Sequence, residues 1–372
     1  MNRLRSAQQG FSRLSAFVVE AKQSCFAIAQ MPVQAQESGS RAPVVRWPAE
    51  WEPHARTWLA WPARPELWDG RLPEIQDTWI EIIHAIARDE PVALLVNDAG
   101  TRNEVRRRSG LAEDRLQIYQ IPTDDAWMRD YGPIWRDGVP TALRFLFNGW
   151  GDKYRPWSQD RSAGKAILDQ TGHPEENSGL VFEGGAIEGN GDDIVLSTRS
   201  CALNPNRGND LSENQWTTVF RHELGAKRVV WLESGLPFDD TDGHIDMFAR
   251  FAPGRRLLVG QAPAGHAHFE ALKRARATLE RELPDYAIVP VPAPPAKEFA
   301  GRILPRTHLN FYVTNGSVLA PVYNEDTDAP ALESIARCFE GRRIVPIYAG
   351  LMILEGGAIH CMTMQEPQLR NV

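Results

Sequence analysis

An amphipathic helical segment followed by a buried strand recurs five times along this chain. In the first unit, LPEIQDTWIEIIHAIARDE precedes PVALLV, and Ile75, Trp79, Ile82, Ile83 and Ile86 share one helical face. The other helical segments are DRSAGKAILDQTG, SENQWTTVFRHELGA, HFEALKRARATLERELP and PALESIARCFEG, which lead to LVFEGG, KRVVWLES, YAIVPV and RRIVPIY. Such alternation predicts an α/β fold built from βαβ-type units.

Each unit is followed by a segment that we expect to form strand, turn and strand. These segments are DYGPIWRDGVPTAL, GGAIEGNGDDIVLS, GHIDMFARFAPGRRLLVG, LNFYVTNGSVLAPV and GGAIHCMTMQEP. They start at 130, 184, 243, 309 and 356, with spacings of 54, 59, 66 and 47 residues. Units of this length predict a repeat architecture, in which each unit closes its core against its neighbours. If the units are arranged as blades, their equivalent loops converge on a central axis.

The start of each strand–turn–strand segment carries residues suited to chemistry. They are Asp130, Glu183, His244 with Asp246, Asn310 and Cys361. The loops that carry Glu183 and Cys361 share the sequence EGGAI, at 183–187 and at 355–359. Because the double glycine permits close approach of the backbone to a ligand, we interpret Cys361 as a nucleophile.

The other cysteines and the histidine allow further readings. Cys338 lies on an apolar helical face and is expected to be a buried thiol, whereas the pattern leaves Cys201 open. His244 could be a buried core histidine, a titrating base held by carboxylates, or a metal ligand together with Asp246 and Glu183. The absence of a second cysteine or histidine at ligand spacing disfavours the metal.

An acidic cluster surrounds Trp127. Asp124, Asp125 and Asp130 crowd this side chain, and a buried group of acids without a cation would be costly. The cluster therefore predicts a cationic substrate. The formal net charge of −7 gives no basic surface for nucleic acid, and no apolar run is long enough to span a membrane.

The motifs taken together resemble the agmatine deiminase and bacterial peptidyl-arginine deiminase family, from about Pro48 to Pro367. The motifs are WEPHARTWLAWP, DDAWMRDYGPIW, FNGWGDKY, EGGAIEGNG, TRSCALNPNRG, DDTDGHIDMFARF, NFYVTNG and GGAIHCMTMQEP. The resemblance implies a single-domain, five-bladed pseudo-symmetric α/β propeller of the pentein type. It also implies hydrolysis of a guanidinium to a ureido group with release of ammonia, no metal or organic cofactor, and a homodimer.

The resemblance also implies roles for the residues. Cys361 is the nucleophile, His244 the general acid and base, and Asp130 and Asp246 the carboxylates that grip the guanidinium. Glu183 stands where the superfamily places a further carboxylate at the substrate. The chain departs from the family in having Glu355 where glycine is common and Met364 where glutamine is common.

The substrate expected from the resemblance is agmatine, with arginine in peptides as the alternative. Amidino transfer to an amine and a non-catalytic binding module are the competing functions. For the distal amine of agmatine, the candidate acids are Asp124, Asp125, Glu188 and Asp240, and Trp127 is the candidate wall along the methylenes.

We expect residues 1–42 to be a flexible tail and residues 43–372 to be the catalytic domain. The first 30 residues read either as a transit peptide or as the product of a start site assigned upstream of Met31. Four cysteines without paired spacing are typical of a reducing compartment, so we expect a cytoplasmic protein.

Overall fold

The computed structural model describes residues 45–369, so the expected tail over residues 1–42 lies outside the described part. The strands are β1 (His54–Ala60), β2 (Val92–Val96), β3 (Leu116–Gln120), β4 (Ala142–Leu146), β5 (Glu175–Val181), β6 (Ile187–Gly189), β7 (Ile194–Thr198), β8 (Arg228–Leu232), β9 (Ala249–Ala252), β10 (Arg256–Gln261), β11 (Ala287–Pro292), β12 (Glu298–Phe299), β13 (Arg302–Ile303), β14 (Tyr312–Val313), β15 (Ser317–Val322), β16 (Arg343–Tyr348) and β17 (Thr363–Pro367).

Helices connect many of these strands. They are α1 (Leu72–Ala87), α2 (Ala99–Ser109), α3 (Met128–Tyr131), α4 (Gly149–Asp152), α5 (Ser158–Thr171), α6 (Arg199–Ala202), α7 (Glu213–Leu224), α8 (Phe269–Glu282) and α9 (Asp328–Ala336). The apolar face predicted for α1 is buried as expected. Helix α7 begins at a capping box formed by Ser212 and Gln215 and ends at Gly225, whose φ of 71° favours glycine. The five expected helix and strand units are therefore present.

Five sheets share one plan, in which a helix crosses over between two parallel strands. The parallel pairs β4–β5, β7–β8, β10–β11 and β15–β16 are joined through α5, α7, α8 and α9, and β1–β2 through α1. Helix α2 adds β3 as a second parallel neighbour of β2. A separate two-stranded hairpin is formed by β12 and β13. The α/β class predicted from the sequence is confirmed.

The strand–turn–strand expectation holds for three of the five segments. Antiparallel pairs β6–β7, β9–β10 and β14–β15 form as predicted. The first segment is reduced to a bridge between Ile134 and Leu143. The last prediction was wrong, because β17 does not fold back on its own segment but pairs antiparallel with β1, from His54↔Pro367 to Leu59↔Thr363. The C-terminal strand therefore completes the sheet that the N-terminal strand begins.

The strand expected over LVFEGG was also misplaced. Strand β5 ends at Val181, and the residues from Phe182 onward leave the sheet, so Glu183 lies in a connection rather than in a strand. Cys338 lies fully buried in an apolar cluster with Phe311 and Phe339, as predicted for a structural thiol. Within residues 45–369, none of the helices combines the length and apolar character that crossing a bilayer requires.

Candidate active site

Each connection from one sheet to the next contributes a side chain to one site. Asp130 lies between β3 and β4, Glu183 between β5 and β6, and His244 with Asp246 between β8 and β9. Asn310 precedes β14 and Cys361 precedes β17, and His244 and Cys361 both line one pocket. Because the sheets share one plan, their connections occupy equivalent places, and equivalent places bring residues distant in sequence together.

The Cys361 thiol is buried and lies in a polar setting. The Asn310 side-chain amide donates to Cys361 Sγ at 3.1 Å, while the thiol itself donates to Asp246 Oδ2 at 3.6 Å. The Asn310 side-chain oxygen Oδ1 accepts from the backbone N–H groups of Ala358 and Cys361, at 3.1 and 3.2 Å. Asn310 therefore fixes both the sulfur and the loop that carries it.

Asp130, Asp246 and His244 converge opposite the Gly185 backbone. A Cβ on Gly185 would lie 2.6 Å from His244 Nδ1, 2.8 Å from Asp130 Oδ1 and 3.2 Å from Asp246 Oδ2. Asp130 is oriented by Gly185 N–H on Oδ1 (3.0 Å) and by Trp150 Nε1–H on Oδ2 (2.9 Å). The glycine thus leaves room for the three groups to meet.

The second copy of EGGAI requires glycine for the same steric reason as the first. A Cβ on Gly357, the counterpart of Gly185, would lie 2.5 Å from Trp127 Cζ3 and 3.2 Å from Cys361 Sγ. Neither glycine has a positive φ, so the demand for glycine comes from space and not from backbone conformation. In both copies of EGGAI, a glycine therefore lets the backbone lie directly against the side chains of the site.

Glu183 lies on the far side of the His244 ring. Its Oε2 is 3.7 Å from His244 Nε2, and its Oε1 accepts from Arg207 Nε at 2.8 Å. The Cys201 thiol, which the pattern left open, donates to Glu183 Oε2 at 3.8 Å. Glu183, Cys201 and His244 lie close enough to resemble a metal-ligand set. However, the Arg207 guanidinium donates to Glu183 and lies 3.6 Å from Cys201 Sγ, so a fixed cation already balances the Glu183 carboxylate.

Asp246 is held by a chain of buried groups. Its Oδ2 accepts from Asn310 Nδ2 at 3.1 Å and from His360 Nδ1 at 2.7 Å. His360 Nε2 in turn lies 2.7 Å from Glu50 Oε2. Asp246 Oδ1, in contrast, is buried without a hydrogen-bond partner among the described residues, as are both ring nitrogens of His244. Buried polar atoms without partners are costly, so these three atoms indicate where a ligand donates and accepts hydrogen bonds.

Burial and neighbouring charges set the protonation states. Burial raises the pKa of Asp130 to about 6, although His244 acts in the opposite direction. Burial acts to lower the pKa of His244, but Asp130 and Glu183 outweigh it and the pKa is raised well above its ordinary value. Burial and the charges of Asp246 and Asp130 raise the pKa of the Cys361 thiol. These shifts favour a neutral Cys361 thiol and a cationic His244 imidazole.

Glu183 and Asp246 remain ionised despite burial. Burial acts to raise the pKa of Glu183, but the Arg207 guanidinium outweighs it, and the net pKa is lowered. For Asp246, the hydrogen bond and charge of His360 outweigh burial in the same way. The site thus keeps permanent negative charge around the thiol and the imidazole, which favours a cationic ligand.

The pocket beside Cys361 is walled by aromatic rings. Trp127, Trp150 and Tyr154 line it, and Trp127 meets Trp150 edge to face with centroids 6.4 Å apart. Two acids, Asp240 and Glu355, also line the pocket. Trp127, the candidate wall along the methylenes, is therefore one of the lining residues. Trp150 and Glu355 were not assigned to the pocket from the sequence, although their motifs were noticed.

Three of the acids expected at the substrate's far end are engaged elsewhere. Asp124 accepts from the backbone and side-chain N–H groups of Gln159 at 2.7 and 3.0 Å. Asp125 accepts from Ala126 N–H at 2.7 Å, and burial raises its pKa to about 6. Glu188 pairs with Arg250 at 3.1 Å. The expectation that Asp124 and Asp125 bind substrate is therefore corrected, because neighbours in sequence point to different partners, and Asp240 alone of the four reaches the pocket.

The sequence pattern did not identify the residues that support the site through contacts with the reacting groups. Arg207, Cys201 and His360 act through contacts between segments that lie far apart in the chain, for example His360 with Glu50. Their motifs, TRSCALNPNRG and GGAIHC, offered the only signal. Met364, one of the two departures from the family, is buried and accepts weakly from Arg129 through sulfur at 3.6 Å, while Gln365 accepts from the same guanidinium at 2.8 Å. Arg129 therefore keeps a side-chain oxygen as its hydrogen-bond acceptor although residue 364 is methionine.

Known proteins similar to this chain match it over most of its length. A family model described as Porphyromonas-type peptidyl-arginine deiminase matches residues 46–367. The agmatine deiminase of Ectopseudomonas mendocina is 33% identical over 364 residues, covering 88% of this chain and 96% of the relative. That of Pseudomonas putida is 34% identical over 362 residues, covering 89% and 97%. The solved structure of the Enterococcus faecalis agmatine deiminase superposes with a TM-score of 0.80 at 26% identity, over 90% of this chain and 99% of that one.

Proposed function

The chain belongs to the Porphyromonas-type peptidyl-arginine deiminase family, and on this premise we propose that it is an agmatine deiminase. It hydrolyses agmatine to N-carbamoylputrescine and ammonia, a step toward putrescine and the polyamines. The reaction makes it a hydrolase of C–N bonds in linear amidines. The similarity to curated agmatine deiminases over nearly their whole length supports this substrate.

One observation carries the proposal. Asp246 Oδ1 is buried without a partner among the described residues, next to the Cys361 thiol. A guanidinium is planar, cationic and rich in N–H donors, so it supplies the donors that the Asp246 and Asp130 carboxylates require. Held between these two carboxylates, its carbon faces the sulfur in a position for attack.

Binding of the cation activates the nucleophile. The charges of Asp246 and Asp130 help to keep the thiol protonated. A bound guanidinium offsets these charges, so the thiol loses its proton to solvent more readily and attacks as thiolate; that proton finally leaves with the ammonia as ammonium. The new S–C bond converts the planar carbon into a tetrahedral adduct. The protonated His244 then donates its proton to the departing nitrogen, the C–N bond breaks, and ammonia leaves.

The second half of the reaction releases the product. After ammonia leaves, the S-alkylthiouronium intermediate remains on Cys361 and His244 is neutral. His244 accepts a proton from water as the water attacks the carbon, and the C–S bond breaks to give the ureido product and the thiol. Glu183 lies 3.7 Å from His244 Nε2 and stabilises the imidazolium in each protonated stage. Balanced hydrolysis consumes one water for each ammonia released.

Cys361→Ser tests the mechanism. The serine hydroxyl is a far weaker nucleophile, so ammonia release from agmatine should fall to background while the protein stays folded. Mass spectrometry of wild-type enzyme quenched during turnover should detect the covalent adduct on Cys361. Cys338→Ser is the control, since Cys338 lies in the separate apolar cluster, and it should keep its activity. Normal activity of Cys361→Ser would overturn the mechanism.

The substrate is tested by measuring ammonia release side by side on agmatine, free arginine and an arginine-containing peptide. Agmatine should give the highest kcat/KM. Higher kcat/KM on the peptide would favour peptidyl-arginine deimination, and amidino transfer would require an amine acceptor in place of water. A chelator should leave the rates unchanged.

The finer architecture and the assembly belong to the same proposal. Five sheets of one plan, each followed by a connection that reaches the site, support the five-bladed propeller arrangement. The homodimer and the cytoplasmic location rest on the family resemblance and on the spacing of the cysteines.

A further inference from the structure

The acid Glu355 is held at the pocket by the backbone. It ends a short 3₁₀ turn, Met352–Glu355, and its Oε1 accepts from Trp68 N–H at 2.8 Å. Trp68 is fully buried and its ring lies 5.7 Å from that of Trp127. Because the donor belongs to a buried segment, the Glu355 carboxylate is fixed in place before any ligand arrives.

Only one of the two oxygens of the Glu355 carboxylate has a hydrogen-bond partner among the described residues. Within residues 45–369, its Oε2 has no hydrogen-bond partner, and no lysine or arginine forms an ion pair with it. Asp240, the second acid lining the pocket, differs: its Oδ2 accepts from Tyr154 Oη–H at 2.7 Å and from Arg302 Nη1 at 2.6 Å. The charge of Asp240 is therefore compensated by Arg302, whereas that of Glu355 is open to a ligand.

Trp127 connects this carboxylate to the reacting end of the pocket. Its ring edge passes close to Gly357 beside Cys361 Sγ, and its ring packs on Trp68, whose N–H holds Glu355. A methylene chain lying on Trp127, with its guanidinium carbon at Cys361, would point its other end toward Glu355. An apolar wall with an unpaired carboxylate at its far end suits a ligand with a cation at that end.

We propose that Glu355 determines specificity by binding a second cation, such as a primary ammonium, at the end of the substrate opposite to the guanidinium. The inference rests on the proposed function for the identity of the reacting end. The same carboxylate repels an α-carboxylate, so the site discriminates against free arginine by charge. Asp240, already paired with Arg302, has the smaller share in this recognition.

The test measures binding without turnover. Calorimetry on Cys361→Ser protein compares agmatine with n-pentylguanidine, in which a methyl group replaces the ammonium. Adding Glu355→Gln should weaken agmatine by about tenfold or more, because a charge-assisted hydrogen bond is lost, and should change pentylguanidine by less than about threefold. Glutamine can still accept from Trp68 N–H, so the loop is retained. A matched thermal denaturation checks folding, and Glu355→Asp, which keeps the charge, should weaken agmatine less than Glu355→Gln.

Asp240→Asn is the matched control, at another acid that lines the pocket. It should change the preference for agmatine over pentylguanidine by less than about threefold, since Arg302 already compensates this acid. Equal losses for both ligands in Glu355→Gln, no loss for either, or a selective loss confined to Asp240→Asn would each overturn the inference.

The outcome also separates this inference from the proposed function. If wild-type enzyme releases no ammonia from agmatine but Glu355→Gln still weakens agmatine selectively, the proposed function fails and the recognition role stands. If agmatine is hydrolysed and Glu355→Gln shows no selective loss, the proposed function stands and the recognition role of Glu355 fails.

Discussion

At the residue scale, two buried carboxylates beside the same imidazole have opposite properties. Glu183 has Arg207 as a permanent partner and its pKa is lowered, whereas Asp130 has no arginine within reach among the described residues and burial raises its pKa to about 6. Residue types and their loops could be predicted from the sequence, since reactive side chains recur at equivalent places. The opposite pKa shifts of Glu183 and Asp130 could not be predicted, because they depend on which cation lies beside each acid.

Asp130→Asn should gain stability relative to wild type as the pH rises, while abolishing activity. The pKa of Asp130 is about 6 in the folded protein and 3.8 ordinarily, so the folded state is penalised as pH rises through this interval. The asparagine avoids this penalty. Between pH 3.5 and pH 8, its free energy of unfolding should rise relative to that of wild type by roughly 1 to 3 kcal/mol, on top of a loss at every pH because its amide nitrogen faces one of the two N–H donors, of Gly185 or Trp150, that Asp130 accepts from. Urea denaturation at the two pH values measures this.

The ionisation of Asp130 should also appear in wild-type kinetics. Since the ionised carboxylate is needed to hold the guanidinium, kcat/KM should fall as pH drops through about 6. A kcat/KM that is flat from pH 7 down to pH 5 would contradict the role given to Asp130, as would an Asp130→Asn variant that keeps normal turnover.

At the element scale, the connections between sheets supply the side chains of the site, and the sheets are the structural unit that repeats. Hydrophobic periodicity predicted the helices and most of the strands, because burial of one face leaves a signal in the sequence. It failed for β17, since a lone strand at the end of a chain gives no local sign that its partner, β1, lies about 300 residues away. The EGGAI repeat correctly indicated two equivalent loops, but its steric reason needed the structure.

Gly185→Ala should damage the site without much damage to the fold. Its Cβ would press on His244 Nδ1 at 2.6 Å and on Asp130 Oδ1 at 2.8 Å, so we expect kcat/KM to fall by about 10² or more. Gly172→Ala offers the opposite pattern: its φ of 74° favours glycine, but a Cβ there meets nothing within 4 Å. That control should lose about 1 kcal/mol of stability and keep its activity. Near-normal turnover by Gly185→Ala would contradict the packing described.

At the scale of the whole molecule, a buried charge network joins segments from across the chain. Glu50 accepts from Arg250 Nη2 at 2.9 Å and from Val313 N–H at 2.9 Å, lies 2.7 Å from His360 Nε2, and pairs with Arg129 at 3.3 Å. These partners precede or belong to different sheets. The network ties the sheets together and, through His360, supports Asp246 at the site.

Glu50→Gln should destabilise the protein by about 3 to 5 kcal/mol, because it leaves the buried Arg129 without a counter-charge and Arg250 with Glu188 as its remaining acid. The loss should be seen by urea denaturation at pH 7, and kcat should fall as well, since His360 loses its support. Glu74→Gln, which breaks an exposed pair with Arg71, should change neither quantity measurably. Wild-type stability in Glu50→Gln would show that the network contributes little to holding the sheets.

The pairing of β17 with β1 has a consequence for the order in which the enzyme becomes competent. Asp130, Glu183, His244 and Asp246 all precede the nucleophile, and Cys361 is followed by the strand that completes the first sheet. During synthesis, a chain that has emerged only as far as Asn310 already holds the carboxylates and the imidazole, yet it lacks the Cys361 thiol that attacks the guanidinium. Fragments released early from the ribosome are therefore inert toward guanidines, and catalysis begins only with the last strand.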